Sequence, residues 1–149
     1  MQFSTRLSIA THMLLAIHQF EGMYKTTSTF LAGSVNVNPV IIRNILGQLR
    51  TAGIVTVEAG VGGAHLAKPP EEISLLDVFQ AVEEQQELFH FHENPNAQCP
   101  VGGNIHAVLD DRLQSVATAM KQQLASMSLQ AIIDDLNRQL SPQPFSTSD

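Results

Sequence analysis

Residues 36 to 53, Asn-Val-Asn-Pro-Val-Ile-Ile-Arg-Asn-Ile-Leu-Gly-Gln-Leu-Arg-Thr-Ala-Gly, read as one helix with both ends marked. Asn38 can cap the start, Pro39 suits the first helical position where no amide donor is needed, and Gly53 can take the left-handed conformation that ends a helix. Ile42, Ile45, Leu46 and Leu49 recur at the i, i+3, i+4, i+7 spacing of a buried stripe, which leaves Val40, Arg43, Asn44, Gly47 and Arg50 facing outward. That outer face is polar and cationic. An exposed glycine in mid-helix costs about 1 kcal/mol relative to alanine, so Gly47 is either a tolerated defect or a place where something approaches the backbone.

A shorter helix precedes it, with Thr27 as its cap and Phe30, Leu31 and Val35 as its apolar positions. Only a few residues separate the two, as in a helix-turn-helix. After Gly53 the pattern changes to Ile-Val-Thr-Val-Glu-Ala, a β-branched run of strand length. Gly60-Val61-Gly62-Gly63 then supplies a sharp turn, and Ala-His-Leu-Ala-Lys returns as a second strand before Pro69-Pro70 stops it. Helix, helix, hairpin is the order of a winged helix-turn-helix. The glycines do not make a phosphate cradle, because a strand follows them and the Lys-Ser/Thr pair of a P-loop is missing.

Upstream, Ser4 can cap a first helix whose stripe is Leu7, Ala10, Met13, Leu14, Ile17 and Phe20. Downstream, Ser74 to Asp77 form a capping box that opens a helix through Glu83, with Leu75, Val78, Phe79 and Val82 as core positions. The pattern lapses over residues 84 to 103 and resumes near Asn104. From Ile105 through Val108, Leu109, Leu113, Val116, Met120 and Leu124 to Met127, apolar residues keep a three-or-four spacing, a rod of roughly 30 Å. A domain this small has little interior to cover such a rod, so pairing with a second copy, a homodimer, is expected. Residues 128 to 140 form a last helix with Leu129, Ile132, Ile133 and Leu136 on one side, and 141 to 149 read as a mobile tail.

The fold class expected is mainly α with a small β-hairpin, a winged helix-turn-helix carrying a long C-terminal dimerisation helix. Residues 1 to 70 would be the DNA-binding domain, 71 to 140 a dimerisation and sensor region, and 141 to 149 the tail. Charge divides the same way. The net charge of −6 hides five basic against two acidic residues over positions 1 to 70, net +3, and three basic against twelve acidic beyond, net −9. A mildly basic head on an acidic half suits a DNA reader with a separate assembly or sensing part. His12 and His18 interrupt the N-terminal apolar segment, so neither a signal peptide nor a membrane span is expected, and the cytoplasm is the natural compartment.

Several stretches together resemble the Rrf-two family of bacterial winged-helix regulators, which includes the IscR, NsrR, CymR and BadM types. They are Asn36 to Leu46, Leu49 to Val55, Gly62 to Ile73 and Ser74 to Glu83, in that order, and His92 to Gly102 is similar to the YwnA-like branch. The resemblance implies a dimeric transcription regulator, a repressor of a pseudo-palindromic operator, with double-stranded DNA as partner and no catalysis. It also implies that the early recognition helix reads base edges; the matching positions are Asn38, Val40, Arg43 and Asn44. Arg43 is the leading candidate, since a guanidinium bonds guanine bidentately. Arg50 shares that outward face, and Ser28 and Lys25 are placed to hold phosphates. Two departures stand out. Cluster-binding members carry three closely spaced cysteines where this chain has Cys99 alone, so an iron–sulfur cluster is not expected, and Ala59-Gly60-Val61 replaces the arginine many members carry before the wing glycines.

Cys99 with His90, His92 and His106 leaves three readings open: structural packing, a reactive thiol through which binding is modulated, or a His/Cys metal site. Two rival functions also stand. A winged helix used only to bind protein would show little salt-dependent DNA affinity and tolerate Arg43→Ala, and a thiol enzyme using Cys99 with a histidine base lacks a recognisable nucleophile motif and would need a low-pKa thiol.

Overall fold

Ile42, Ile45, Leu46 and Leu49 are all buried and form the floor on which the other elements rest. The structure, a computed structural model, describes residues 4–58 and 63–140. Its elements are α1 (Arg6–Gln19), α2 (Ser28–Val35), α3 (Pro39–Thr51), β1 (Val55–Val57), β2 (Ala64–Leu66), α4 (Leu75–Val82), α5 (Ile105–Ala125) and α6 (Leu129–Leu140). The helix expected from residue 38 onward is α3. The Asn38 side chain accepts the Val40 amide proton at 2.9 Å, Pro39 takes the first helical position, and Gly53 has φ +76°. Asn36, in the left-handed conformation that asparagine tolerates, makes the turn between α2 and α3. Truncating a fully buried member of this floor, Ile45→Ala, is expected to cost about 2–5 kcal/mol, read as a lower urea midpoint with an unchanged slope.

α1 lies across α3 and α4 and buries Ala10, Met13, Leu14, Ala16 and Ile17. Ser4 stands one residue outside the cap position, which is Thr5; its hydroxyl accepts the Arg6 amide proton at 3.0 Å and donates to the Glu83 carboxylate at 3.0 Å. The hairpin is antiparallel, with Val55 opposite Leu66 and Val57 opposite Ala64, and its strands are shorter than the β-branched run. Thr26, 3% exposed, holds it to the head: its hydroxyl donates to the Ala64 carbonyl at 2.8 Å and its carbonyl accepts the Ala64 amide proton at 3.1 Å. Of the turn expected at Gly60 to Gly63, Gly63 has φ +117°, while residues 60–62, the departure at Ala59 to Val61 and the tail 141 to 149 lie outside the described residues.

The hydrophobic core continues past residue 70. Ile73, Val78 and Val82, then Leu129 and Ile133, join the cluster built by α1 and α3. Two backbone bonds explain this: the Leu75 amide donates to the Met127 carbonyl at 2.9 Å and the Leu129 amide to that of Ile73 at 2.7 Å, so the start of α6 is tied beside the start of α4. Ser74 and Asp77 form the expected reciprocal capping box, at 2.9 and 3.1 Å. α5 is different. None of its 21 residues is fully buried, and Val108 and Val116 are 55% and 51% exposed. No helix of the described residues is long and apolar enough to cross a membrane.

Candidate nucleic-acid interface

The face of α3 opposite its buried stripe presents Val40, Ile41, Arg43, Asn44, Gly47 and Arg50 to solvent. Among the described residues no carboxylate pairs with Arg43 or Arg50, so both guanidinium groups are available to an outside anion or base edge. Val40 is 60% exposed, an apolar group of the kind that meets a thymine methyl. Ile41 is also exposed, a position the stripe pattern left unassigned. A Cβ added to Gly47 would meet nothing within 4 Å, so the isolated chain does not require glycine there.

Beside this face, Thr27 caps α2 by accepting the Phe30 amide proton at 3.2 Å, and Ser28 is the first helical residue. The exposed N–H groups and positive dipole end of a helix start suit a phosphate. Lys25, exposed, borders a shallow hollow shared with Glu21, Glu58 and His65. His65 lies 3.6 Å from the Glu21 carboxylate and 3.8 Å from that of Glu58. The base of the wing is thus mixed in charge, and the cationic character is concentrated on α3.

Arg6, one of the five basic residues of positions 1 to 70, is brought to this site only by the fold. Its Nε donates to the Val82 carbonyl at the end of α4 at 2.8 Å, and its Nη2 donates to Asn44 Oδ1 on α3 at 2.7 Å and to Gln48 Oε1 one turn on. Glu83 closes the arrangement by accepting the Leu7 amide proton at 3.2 Å. No local pattern announces this, because the partners lie 38 and 76 residues away along the chain.

The candidate sensor residues divide into two places. His90, His92 and His106 line one open concavity with Asp110; the rings of His92 and His106 stack at 5.7 Å, and His106 Nδ1 is 2.8 Å from the Asp110 carboxylate. Cys99 does not line it. It is exposed in the turn before α5, where the backbone N–H groups of Gly102 and Val101 hold its thiol below the ordinary cysteine range by stabilising the thiolate. Gly102 is required there, since a Cβ would stand 2.3 Å from the Asn96 carbonyl oxygen.

The profile of the Rrf2 (Rrf-two) family, described as iron-dependent transcriptional regulators, matches residues 3–135. YwnA of Bacillus subtilis (strain 168), named for an HTH-type transcriptional regulator, is 47% identical over 133 residues, covering 89% of this chain and 98% of its own. A crystal structure of a protein named for DNA binding is 43% identical with a TM-score of 0.71, over 86% of this chain and 98% of that one. IscR of T. potens shares the fold at 19% identity and a TM-score of 0.70, over 97% and 95% of the two chains. The iron in the family description does not fit the residues present. The chain has one cysteine, and among the described residues no three of His, Cys, Asp and Glu are grouped to hold a metal ion.

Proposed function

Because the chain belongs to the Rrf2 family of DNA-binding transcriptional regulators, which are not enzymes, we propose that it acts in the cytoplasm as a homodimeric repressor of a pseudo-palindromic operator. The observation that carries this reading is the outward face of α3, where Arg43 and Arg50 are exposed without an ion pair among the described residues. In a dimer, two such helices enter successive major grooves about 34–36 Å apart, with Asn38, Val40, Arg43 and Asn44 at base edges and Arg50, Ser28 and Lys25 toward phosphates. Residues 71 to 140 supply the second copy through the apolar stripe of α5, and an operator so occupied excludes the transcription machinery. Genomic fragments retained by the purified protein test the reading: enrichment of one palindromic site at moderate salt is expected. Weak retention without a shared motif would instead favour a winged helix that binds protein.

A second observation bears on control. The Cys99 thiol is exposed and its pKa is lowered by backbone N–H groups, so more of it is thiolate near neutral pH, and the thiolate is the nucleophile. We propose that modification of this thiol, outside the His90, His92 and His106 concavity, modulates DNA binding; equal operator affinity of Cys99→Ser and wild type, with and without oxidant, would overturn this. Alkylation by iodoacetamide, in which the thiolate displaces iodide, is expected to reach half its maximal rate at a lower pH than for an ordinary cysteine. Gly102→Ala, which must displace the turn, is expected to move that midpoint upward. An unmoved midpoint would separate the thiol's acidity from the turn.

A further inference from the structure

Asn44 stands on the outward face of α3 with its amide already oriented. A side-chain amide has an acceptor end and a donor end, and the end that faces a groove decides which base edge it can read. Here Arg6 makes that choice. Its Nη2 lies 2.7 Å from the Asn44 side chain, and a guanidinium has donors but no acceptor, so only the amide oxygen can face it. The guanidinium is itself fixed, through Nε to the Val82 carbonyl at 2.8 Å and through Nη2 to Gln48 Oε1. A planar fork anchored on two elements holds an orientation that a lone flexible donor would not.

We propose that Arg6 is a positioning residue for sequence specificity: by holding Asn44 Oδ1 inward it presents the Asn44 amide protons to the groove, so that Asn44 selects guanine and rejects adenine. Guanine offers two adjacent acceptors, N7 and O6, whereas the paired bonds of a freely turning asparagine to adenine need the amide oxygen outward. The proposal rests on the reading of α3 as the DNA-reading helix. It also makes α4, through Val82, part of the support of the reading face.

The test is selection from a randomised duplex library by the full-length protein and its Asn44→Ala, Arg43→Ala, Arg6→Lys and Arg6→Met variants, with a thermal melt of each. Asn44→Ala is expected to flatten one position per half-site, and that position is a G·C pair in the wild-type motif. In both Arg6 variants the preference for guanine over adenine at that position falls about tenfold while other positions keep theirs. Arg6→Lys keeps the charge, so its salt dependence stays that of wild type. An A·T pair at the position flattened by Asn44→Ala overturns the proposal without any Arg6 variant, even if those variants do not fold. So does uniform weakening without a change of preference, which would make Arg6 a phosphate ligand or a brace. A motif unaffected by both Arg43→Ala and Asn44→Ala would instead overturn the reading of α3, and this proposal with it.

Discussion

Arg43→Ala is expected to weaken operator binding about thirtyfold or more, from about 1–3 kcal/mol for a bidentate guanine interaction made once in each half-site. The melting temperature should not move, because Arg43 is exposed and makes no ion pair among the described residues. Fluorescence anisotropy on a labelled operator, over a range of salt, checks both the size and the kind of the effect. Without the Arg43 guanidinium at a base edge, affinity for the operator falls while most of the affinity for unrelated DNA stays. Arg50→Ala, by contrast, is expected to weaken binding evenly across sequences and to flatten the salt slope, as removal of a phosphate-binding cation does. Equal operator affinity for wild type and Arg43→Ala would move recognition off this face of α3.

The other large effect belongs to α5. Val116→Asp is expected to give a folded monomer whose operator affinity drops by two or more orders of magnitude, about the loss that follows when two linked binding events become independent. Val116 is 51% exposed and no residue of α5 is fully buried, so the charge costs the single chain little. Across a helix pair the same charge would be stripped of water with no partner, which apolar interfaces do not tolerate. Sedimentation equilibrium reads the mass, and a melt shows whether the core survives. The contrast with Ile45→Ala is diagnostic: that change lowers stability in any assembly state, because Ile45 is buried within one chain. A Val116→Asp protein that remains dimeric would place the interface elsewhere.

What could be read from the sequence was what short-range chemistry decides. Asn38, Pro39 and Gly53 mark α3 because caps and stops act within one turn, and the stripe of Ile42, Ile45, Leu46 and Leu49 follows from helical period alone. The rod from Ile105 was legible as a helix with too much apolar surface for so small a body, and in the structure none of α5 is fully buried. Pairings between distant segments were not legible. The hydroxyl of Thr26 meets Ala64, Arg6 meets Asn44 and Val82, and Met127 meets Leu75 only after the chain has folded. For that reason the core crosses residue 70, where composition alone suggested a division.

At the candidate site the outward positions of Arg43, Asn44 and Arg50 followed from the period, while the orientation of Asn44 did not, since an amide's rotamer depends on its partner. His90 and His92, two apart, share a concavity because the backbone between them is not helical, and i, i+2 side chains then lie on one side. The separate placement of Cys99 had no counterpart in residue spacing.

The most direct test of recognition by α3 is a double-mutant cycle between protein and DNA. Each guanine of the selected half-site is replaced in turn by 7-deazaguanine, which lacks the N7 acceptor, and binding is measured for wild type and Arg43→Ala. At one guanine the two changes are predicted to be non-additive by about 1 kcal/mol or more, the mark of a shared hydrogen bond. Additivity at every guanine of the half-site would contradict the account.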